Sequence, residues 1–213
     1  MPPRAAMPSE RLTVYIIDDD PSVRDSLSLR LGIEGYRTAL FADAEAFLAA
    51  LEPGCAGCVV ADLKLPGSSG LELQHELQRR GVRMPVVIIT AHGDIDSARA
   101  AFQAKAVDFL PKPFETAQLL EAVNAAFERE ERRLQGEDAR RDEHSRLARL
   151  TAREREVLDR VAEGLHAKEI AAALGISPRT VEVHKARIME KLDARNVAEL
   201  VRFVVRGSGA AEP

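Results

Sequence analysis

The sequence predicts two domains: an α/β domain with a doubly wound, five-stranded parallel sheet, followed by an all-α domain of four helices. Five short apolar runs, rich in β-branched residues, recur within the first 110 residues and are separated by amphipathic stretches. From position 150 onward every periodic segment has the spacing of a helix. The chain has 213 residues, which is long enough for two small domains.

The five predicted strands occupy residues 12–17, 37–41, 58–61, 86–90 and 107–110. Because these runs are apolar on both faces, they predict a parallel sheet covered by helices on both sides. An amphipathic helix at 115–128 completes this domain, which we place at residues 11–128. Residues 1–10 are predicted to be a disordered arm.

Residues 129–149 are crowded with arginine and glutamate and contain few apolar residues, which is typical of a linker. Oppositely charged residues four positions apart favour a helix, so part of this linker is predicted to be helical. Gly136 is the expected break in that helix.

The second domain is placed at residues 150–207, with helices at 152–163, 167–174, 178–192 and 196–206. Gly164 and Gly175 separate the first three helices. Ser177 followed by Pro178 combines an N-cap with a proline in the first helical position, which sets the start of the third helix. Residues 208–213 are predicted to be a disordered tail.

Charge is distributed unevenly along the chain. Residues 1–128 carry 12 Lys and Arg against 18 Asp and Glu, whereas residues 150–207 carry 11 against 9. The mildly basic second domain is therefore the candidate for binding nucleic acid. No apolar run approaches the roughly 18 residues that cross a bilayer, and the N-terminus lacks the apolar core of a signal peptide. We expect a cytoplasmic protein without a membrane partner.

Cys55 and Cys58 have the spacing of a redox dithiol or of half a zinc site. The sequence offers no second pair of ligands for zinc. A reactive dithiol would lie at the start of a helix, whereas Cys58 lies at the start of a predicted strand. We therefore predict that Cys58 is a small buried residue.

Polar side chains follow four of the predicted strands: Asp18, Asp19, Asp62, Thr90 and Lys112. The carboxyl ends of parallel strands meet at one edge of a sheet, so these groups are expected to converge. Three carboxylates close together repel one another unless a cation lies among them. Oxygen ligands alone favour a hard cation, and the sequence thus predicts a Mg²⁺ site.

The metal ion and Lys112 would neutralise enough charge for one carboxylate to accept a phosphoryl group. Asp62 is the best acceptor because it stands alone on the middle strand of the predicted sheet.

Four ordered blocks over about residues 12–128 resemble the signature motifs of receiver domains of two-component response regulators, particularly those of the FixJ type. The resemblance implies a CheY-like, flavodoxin-like fold. The blocks are Ile17-Asp18-Asp19-Asp20, Val60-Ala61-Asp62-Leu63-Lys64-Leu65-Pro66-Gly67, Ile89-Thr90-Ala91-His92-Gly93-Asp94 and Asp108-Phe109-Leu110-Pro111-Lys112-Pro113-Phe114.

This resemblance implies that Asp62 accepts the phosphoryl group of a phosphohistidine on a sensor histidine kinase. It also implies that Thr90 hydrogen-bonds the phosphoryl group, that Lys112 pairs with it, and that Thr90 and Phe109 act as the switch residues. The implied Mg²⁺ ligands are Asp18 acting through water, Asp19, Asp62 and the backbone carbonyl of Lys64.

Three further positions are singled out by the same resemblance. Lys64 and His92 lie where receiver domains vary the lifetime of the acyl phosphate. Lys105 stands where such domains usually have glycine before the fifth strand, and it would cost about 1 kcal/mol if that site requires a positive φ.

The second domain resembles the LuxR-type helix-turn-helix, so the whole chain resembles response regulators of the FixJ/NarL type. The resemblance covers about residues 150–206 and is carried by Leu150-Thr151-Ala152-Arg153-Glu154-Arg155-Glu156-Val157-Leu158, Lys168-Glu169-Ile170-Ala171 and Ser177-Pro178-Arg179-Thr180-Val181-Glu182-Val183-His184.

Helical periodicity divides the third helix of this domain into faces. Its inward face is predicted to carry Val181, His184, Ile188 and Leu192. The opposite face, which would enter a major groove, carries Arg179, Val183, Ala186 and Glu190. The candidate DNA-contacting residues of the domain are Lys168, Arg179, Thr180, Val183, His184, Lys185, Arg187 and Lys191.

The sequence therefore predicts a transcriptional regulator and no enzyme beyond the transfer of a phosphoryl group to Asp62. Phosphorylation is expected to promote homodimerisation and binding to double-stranded promoter DNA. The family resemblance favours activation over repression, and RNA polymerase is a further candidate partner.

Two alternatives from other classes remain open at this point. A phosphatase with an aspartyl-phosphate intermediate would share the carboxylates, Mg²⁺ and the lysine. Such an enzyme would have a second Asp two residues after the nucleophile, whereas here Asp62 is followed by Leu63 and Lys64. A phospho-dependent adaptor would bind protein alone and would show no salt-sensitive DNA binding.

Overall fold

The computed structural model describes residues 12–91 and 106–208, with side chains up to Val204. The chain divides into two compact units, Met1–Leu134 and Gln135–Pro213. Strands are labelled β1–β5 and the described helices α1–α8 in chain order.

The first unit contains a five-stranded parallel sheet with the strand order β2-β1-β3-β4-β5. Its strands are β1 Thr13–Ile17, β2 Arg37–Phe41, β3 Gly57–Asp62, β4 Val86–Thr90 and β5 Asp108–Pro111. Because all strands run the same way, their carboxyl ends lie along one edge, as the predicted architecture requires.

Helices cover both faces of this sheet. They are α1 Pro21–Ile33, α2 Ala44–Ala50, α3 Gly70–Arg79 and α4 Thr116–Ala148, the last of which continues into the second unit. The side chains of Asp20, Asp43 and Ser69 cap the first three helices by accepting hydrogen bonds from backbone N–H groups. The segment between β4 and β5, with His92 and Lys105, lies outside the described residues.

Alternation along the strands builds two apolar cores. Val14, Ile16 and Val60 face one side, where they pack with apolar residues of α1 and α4. Ile17 and Val59 face the other side, where they pack with α2 and α3. The doubly wound α/β fold predicted from the sequence is therefore confirmed.

Cys58 lies at the start of β3 and is fully buried in the core beneath α1 and α4. Burial, and secondarily the charge of Glu130, raises the pKa of its thiol, which keeps the thiol protonated and unreactive. The prediction of a buried structural cysteine is confirmed.

The predicted helix break at Gly136 is wrong, because α4 runs from Thr116 to Ala148 without interruption. A glycine within a helix costs only about 1 kcal/mol relative to alanine. The flanking residues are strong helix formers, and Glu128 and Arg132 form an i,i+4 ion pair one turn before the glycine. Their combined preference outweighs the cost.

The second unit packs four helices that follow α4: α5 Ala152–Ala162, α6 Ala167–Leu174, α7 Pro178–Leu192 and α8 Val197–Ser208. Thr151 and Ser177 cap α5 and α7, and Gly175 ends α6 at φ +64°. The core of this unit includes Val157, Leu158, Ile170, Val181, Ile188, Leu192 and Leu200. The all-α second domain is confirmed.

Over the ranges that the structure describes, no helix combines the length and the apolar character needed to cross a membrane.

Gly57 generates a prediction about the stability of the sheet. A Cβ atom at this position, where φ is +144°, would lie 1.8 Å from the carbonyl oxygen of Thr13. Gly57→Ala should therefore lower the free energy of unfolding by about 3 kcal/mol or more, measured by urea denaturation followed by circular dichroism.

Gly54→Ala is the matched control. Gly54 also has a positive φ, but a Cβ atom there would meet nothing within 4 Å. Its loss should be about 1 kcal/mol, the cost of the backbone conformation alone. Equal losses for the two variants would contradict the steric explanation.

Candidate functional site

The ammonium group of Lys112 joins two carboxylates at the carboxyl edge of the sheet. Its Nζ lies 2.8 Å from Oδ2 of Asp18, which follows β1, and 2.6 Å from Oδ2 of Asp62, which ends β3. The backbone N–H of Lys112 donates to the carbonyl of Thr90, the last residue of β4, at 2.6 Å. Residues from four strand ends thus meet, as expected from the topology.

Burial and the opposite charges of this cluster act on the pKa values of its members in opposite directions. Asp18 is 1% exposed, and this burial raises the pKa of its carboxyl group although Lys112 and the N–H of Asp20 act in the opposite direction. Burial would lower the pKa of Lys112, but its hydrogen bonds to Asp18 and Asp62 and their charges outweigh this, so the pKa is raised. Lys112 is therefore a permanent cation between the two carboxylates.

Backbone groups orient the two carboxylates further. Oδ1 of Asp62 accepts a hydrogen bond from the N–H of Lys64 at 3.0 Å, and Oδ1 of Asp18 accepts one from the N–H of Asp20 at 2.9 Å. A Cβ atom on Gly70 would lie 2.6 Å from the carbonyl oxygen of Asp62, so only glycine lets the start of α3 pack this closely.

The other predicted residues of the receiver occupy different environments. Thr90 is 1% exposed at the end of β4. Asp19 is exposed. Phe109 is half-buried, lies opposite Ile88 in the sheet and packs on the side of α2 and α3.

Among the described residues, no three His, Cys, Asp or Glu side chains converge on one metal position. The donors at this edge are nevertheless oxygen atoms, and three carboxylates outnumber the single ammonium. An oxygen-only, net negative set suits a hard divalent cation. The residues present therefore fit Mg²⁺ in type, with Asp19 as the carboxylate that would have to turn inward.

Arg24 is a part of the site that the sequence analysis missed. Its guanidinium donates to the backbone carbonyl of Asp18, which fixes the acidic loop against the first turn of α1. The signal was its position four residues after the N-cap Asp20, one helical turn into α1. A cavity of about 330 Å³ that Arg24 does not line lies between α1 and the segment after β5, with the lining residues Ser22, Val23, Ser26, Leu27, Arg30, Lys112, Pro113 and Phe114.

In the second unit, the predicted outward face of α7 is exposed. Arg179, Val183, Ala186 and Glu190 all point away from the core, and Val183 is 44% exposed. Lys168 on α6 and Arg187 on α7 are also exposed. Exposed cations and an exposed apolar side chain are the groups that contact phosphates and base edges in a major groove.

The remaining candidates for DNA contact have partners or are partly covered. His184 is half-buried, and its Nδ1 is buried without a hydrogen-bond partner, as suits its predicted inward position. Thr180 bonds the hydroxyl of Ser177 at 2.8 Å, and Lys185 pairs with Glu182 at 3.1 Å.

Lys191 has the strongest internal partner of these residues. Its Nζ lies 2.6 Å from Oε2 of Glu154, which is 3% exposed and also accepts hydrogen bonds from the N–H and hydroxyl of Thr151. Burial alone would raise the pKa of Glu154, but the bonds from Lys191 and Thr151 outweigh it and lower the pKa to about 2. A DNA phosphate would have to compete with this carboxylate for Lys191.

Comparison with known proteins agrees with both parts of the chain. Residues 14–124 match the model of the response regulator receiver domain, and residues 148–204 match that of bacterial regulatory proteins of the luxR family. The transcriptional regulatory protein FixJ of Azorhizobium caulinodans is 45% identical, over 92% of this chain and 93% of the relative. The transcriptional regulatory protein TdiR of Thauera aromatica is 40% identical, over 92% of this chain and 86% of the relative.

Solved structures show the same relationship. The response regulator StyR has a TM-score of 0.83 and 40% identity, covering 92% of this chain and 99% of that one. Full-length FixJ from B. japonicum has a TM-score of 0.57 and 40% identity, covering 94% of this chain and 98% of that one.

The chain therefore belongs to the two-component response regulators that join a receiver domain to a LuxR-type DNA-binding domain. Within that family it is a FixJ-like transcriptional regulator, with a sensor histidine kinase and DNA as its partners. The phosphatase and adaptor alternatives are set aside, because the relatives are transcriptional regulators with a DNA-binding domain. Receiver domains of this family typically bind Mg²⁺.

Glu154 generates a prediction about pH. A carboxyl group with a pKa of about 2 in the folded chain and an ordinary value when unfolded stabilises the fold above the ordinary value. That contribution is lost as the pH falls from about 4.5 to about 2. We expect the stability advantage of the wild type over Glu154→Gln to vanish across this range.

The measurement is urea unfolding at several pH values, followed through NMR amide signals of α5 and α7. Glu163→Gln makes the same change at an exposed position of the chain and is the control against which the pH-dependent change of Glu154→Gln is compared. An advantage of the wild type over Glu154→Gln that stays constant between pH 4.5 and 2 would contradict the assignment.

Proposed function

We propose that Asp62 is the residue that accepts the phosphoryl group from the sensor histidine kinase. The observation that carries this is the geometry of its carboxylate: Oδ2 contacts the Lys112 ammonium at 2.6 Å, and Oδ1 accepts the N–H of Lys64 at 3.0 Å. The carboxylate is therefore oriented before the donor arrives. Its side chain is 13% exposed, so the acceptor is not sealed within the core.

In the proposed step, a carboxylate oxygen of Asp62 forms a bond to phosphorus while the N–P bond of the donor phosphohistidine breaks. The electron pair of that bond stays on the imidazole nitrogen of the kinase. Lys112 then pairs with the phosphoryl oxygens, and Thr90 donates its hydroxyl hydrogen to one of them. The chain supplies position and charge, and it turns over no substrate of its own.

Asp18, Asp19, Asp62 and the backbone carbonyl of Lys64 would hold Mg²⁺ at this edge of the sheet. Bound there, the ion would supply positive charge that screens the incoming phosphoryl oxygens. Two features of the chain support this: the donors are oxygen atoms, and Lys112 alone leaves the carboxylates with excess negative charge.

We further propose that Thr90 and Phe109 form the switch. Thr90 is buried beside the acceptor, and Phe109 is half-buried on the neighbouring strand, so an inward shift of both would reshape the surface around β5. Phosphorylation would favour that conformation because the phosphoryl group binds Thr90 better in it. The reshaped surface would then form the homodimer.

The output step would be binding of α7 in the major groove of promoter DNA. Exposed Arg179 and Val183 would reach base edges, whereas Lys168, Thr180 and Arg187 would contact phosphates. His184, Lys185 and Lys191 would contribute only after partial exposure or exchange of partners. We propose a cytoplasmic activator of transcription, for which RNA polymerase is a further partner.

The first test compares DNA binding before and after treatment with a small acyl phosphate and Mg²⁺. Phosphorylation should tighten binding of the wild type to genomic fragments at fixed salt by about tenfold or more, because two half-sites engaged by a dimer raise the effective concentration. Asp62→Asn should lose this response and keep its circular dichroism spectrum.

Asp25→Asn, at an exposed position on α1, makes the same change in charge and should respond like the wild type. Phosphate-dependent binding that survives in Asp62→Asn would refute Asp62 as the acceptor.

A second test concerns the phosphate contact of Arg187. Arg187→Ala should weaken binding to all DNA sequences and reduce the slope of log affinity against log salt by about one, because one fewer counterion is released. Arg202→Ala removes the same charge from an exposed site on α8 and should leave the slope unchanged. Unchanged slopes in both variants would remove Arg187 from the interface.

A further inference from the structure

The carboxyl end of α7 is held by a residue of α4. The guanidinium of Arg146, in the last turn of α4, donates through one terminal nitrogen to the backbone carbonyl of Leu192, the last residue of α7, at 3.2 Å. Leu192 is fully buried, whereas the side chain of Arg146 is 31% exposed. A buried helix end is thus bonded to a cation from outside that helix.

The way α7 ends explains why this bond matters. Asp193 adopts the left-handed conformation at φ +55°. The N–H of Asp193 donates to the carbonyl of Glu190, and the N–H of Ala194 donates to the carbonyl of Met189. This pattern satisfies the carbonyls two and three positions before Leu192 and leaves that of Leu192 without a partner from the helix. Arg146 supplies the partner, and its positive charge also suits the negative end of the helix dipole.

Two ion pairs surround the same guanidinium. Oδ2 of Asp142, one turn earlier on α4, lies 2.9 Å from Nη2 of Arg146 and holds the arginine side chain in position. Asp193 lies 3.6 Å away but is 87% exposed, so its attraction is screened by water. The bond to the carbonyl of Leu192 is therefore the contact through which Arg146 holds the end of α7.

We propose that Arg146 is a positioning residue for DNA recognition: it fixes the end of α7 to α4, so that the orientation of the recognition helix depends on the last turn of the linker helix. This rests on the proposed role of α7 in the major groove. The inference adds that residues 142–148, outside the predicted helix-turn-helix domain, belong to the DNA-binding machinery.

The test uses the full chain with Arg146→Gln and Arg146→Lys, and with Arg141→Gln as the matched control on the exposed surface of α4. Arg146→Gln should weaken DNA binding about fivefold and leave the salt slope unchanged, because no phosphate contact is lost. Arg146→Lys should recover most of the affinity, since an ammonium can also donate to the carbonyl. Arg141→Gln and Asp193→Asn should bind like the wild type.

Hydrogen exchange provides a readout in the absence of DNA. Peptides covering residues 188–196 should exchange about tenfold faster in Arg146→Gln than in Arg141→Gln, because the helix end loses its anchor. A salt slope reduced by about one in Arg146→Gln would show direct phosphate contact and overturn positioning. Equal exchange and equal affinity in both variants would also overturn it. Failure of every variant and of the wild type to bind DNA would refute the proposed function instead.

Discussion

The carboxyl edge of the receiver sheet depends on one ammonium group. Asp18 and Asp62 project from different strands toward the same space, where two ionised carboxylates would repel each other strongly. Lys112 contacts both, and the N–H groups of Asp20 and Lys64 bond their remaining oxygens. The strand order brings the three side chains together, and the ammonium offsets part of the carboxylate charge, which lets a charged site persist beside a buried core.

The second unit solves a similar problem with a different pair. Glu154 is almost fully buried, and its charge is tolerable there because Thr151 and Lys191 bond its Oε2 atom. Glu154 belongs to the first turn of α5 and Lys191 to the last turn of α7, so the pair also joins two helices that the core packs together. The carboxylate of Glu154 therefore bonds both the N-cap residue of α5 and the last turn of the recognition helix.

Local patterns predicted the elements of this chain well. Short runs that are apolar on both faces identified the strands, and Ser177-Pro178 identified the start of α7 at the residue where it begins. Strand ends also identified Asp18, Asp62 and Lys112 before their contacts were known. Gly136 does not end the helix as predicted, because one weak helix former counts for less than its strongly helical neighbours.

Contacts between distant residues could not be predicted in this way. Lys191 has a position on α7 that periodicity alone assigns to the DNA-facing flank, yet its partner Glu154 lies 37 residues earlier in the chain. Periodicity places a side chain on a helix face, but only packing between helices shows which charged groups meet there. The same holds for Arg146, whose contact with Leu192 spans 46 residues.

These pairings divide the cations of the output unit into two groups. Lys191 and Arg146 bond groups within the fold, at the carboxyl end of α7, whereas Arg179, Arg187 and Lys168 are exposed. A recognition helix needs both kinds, because the exposed cations can contact a phosphate with the correct geometry only if the helix that carries them is held in place. The small net charge of this unit thus understates its suitability for DNA, since the position of each cation matters more than the total.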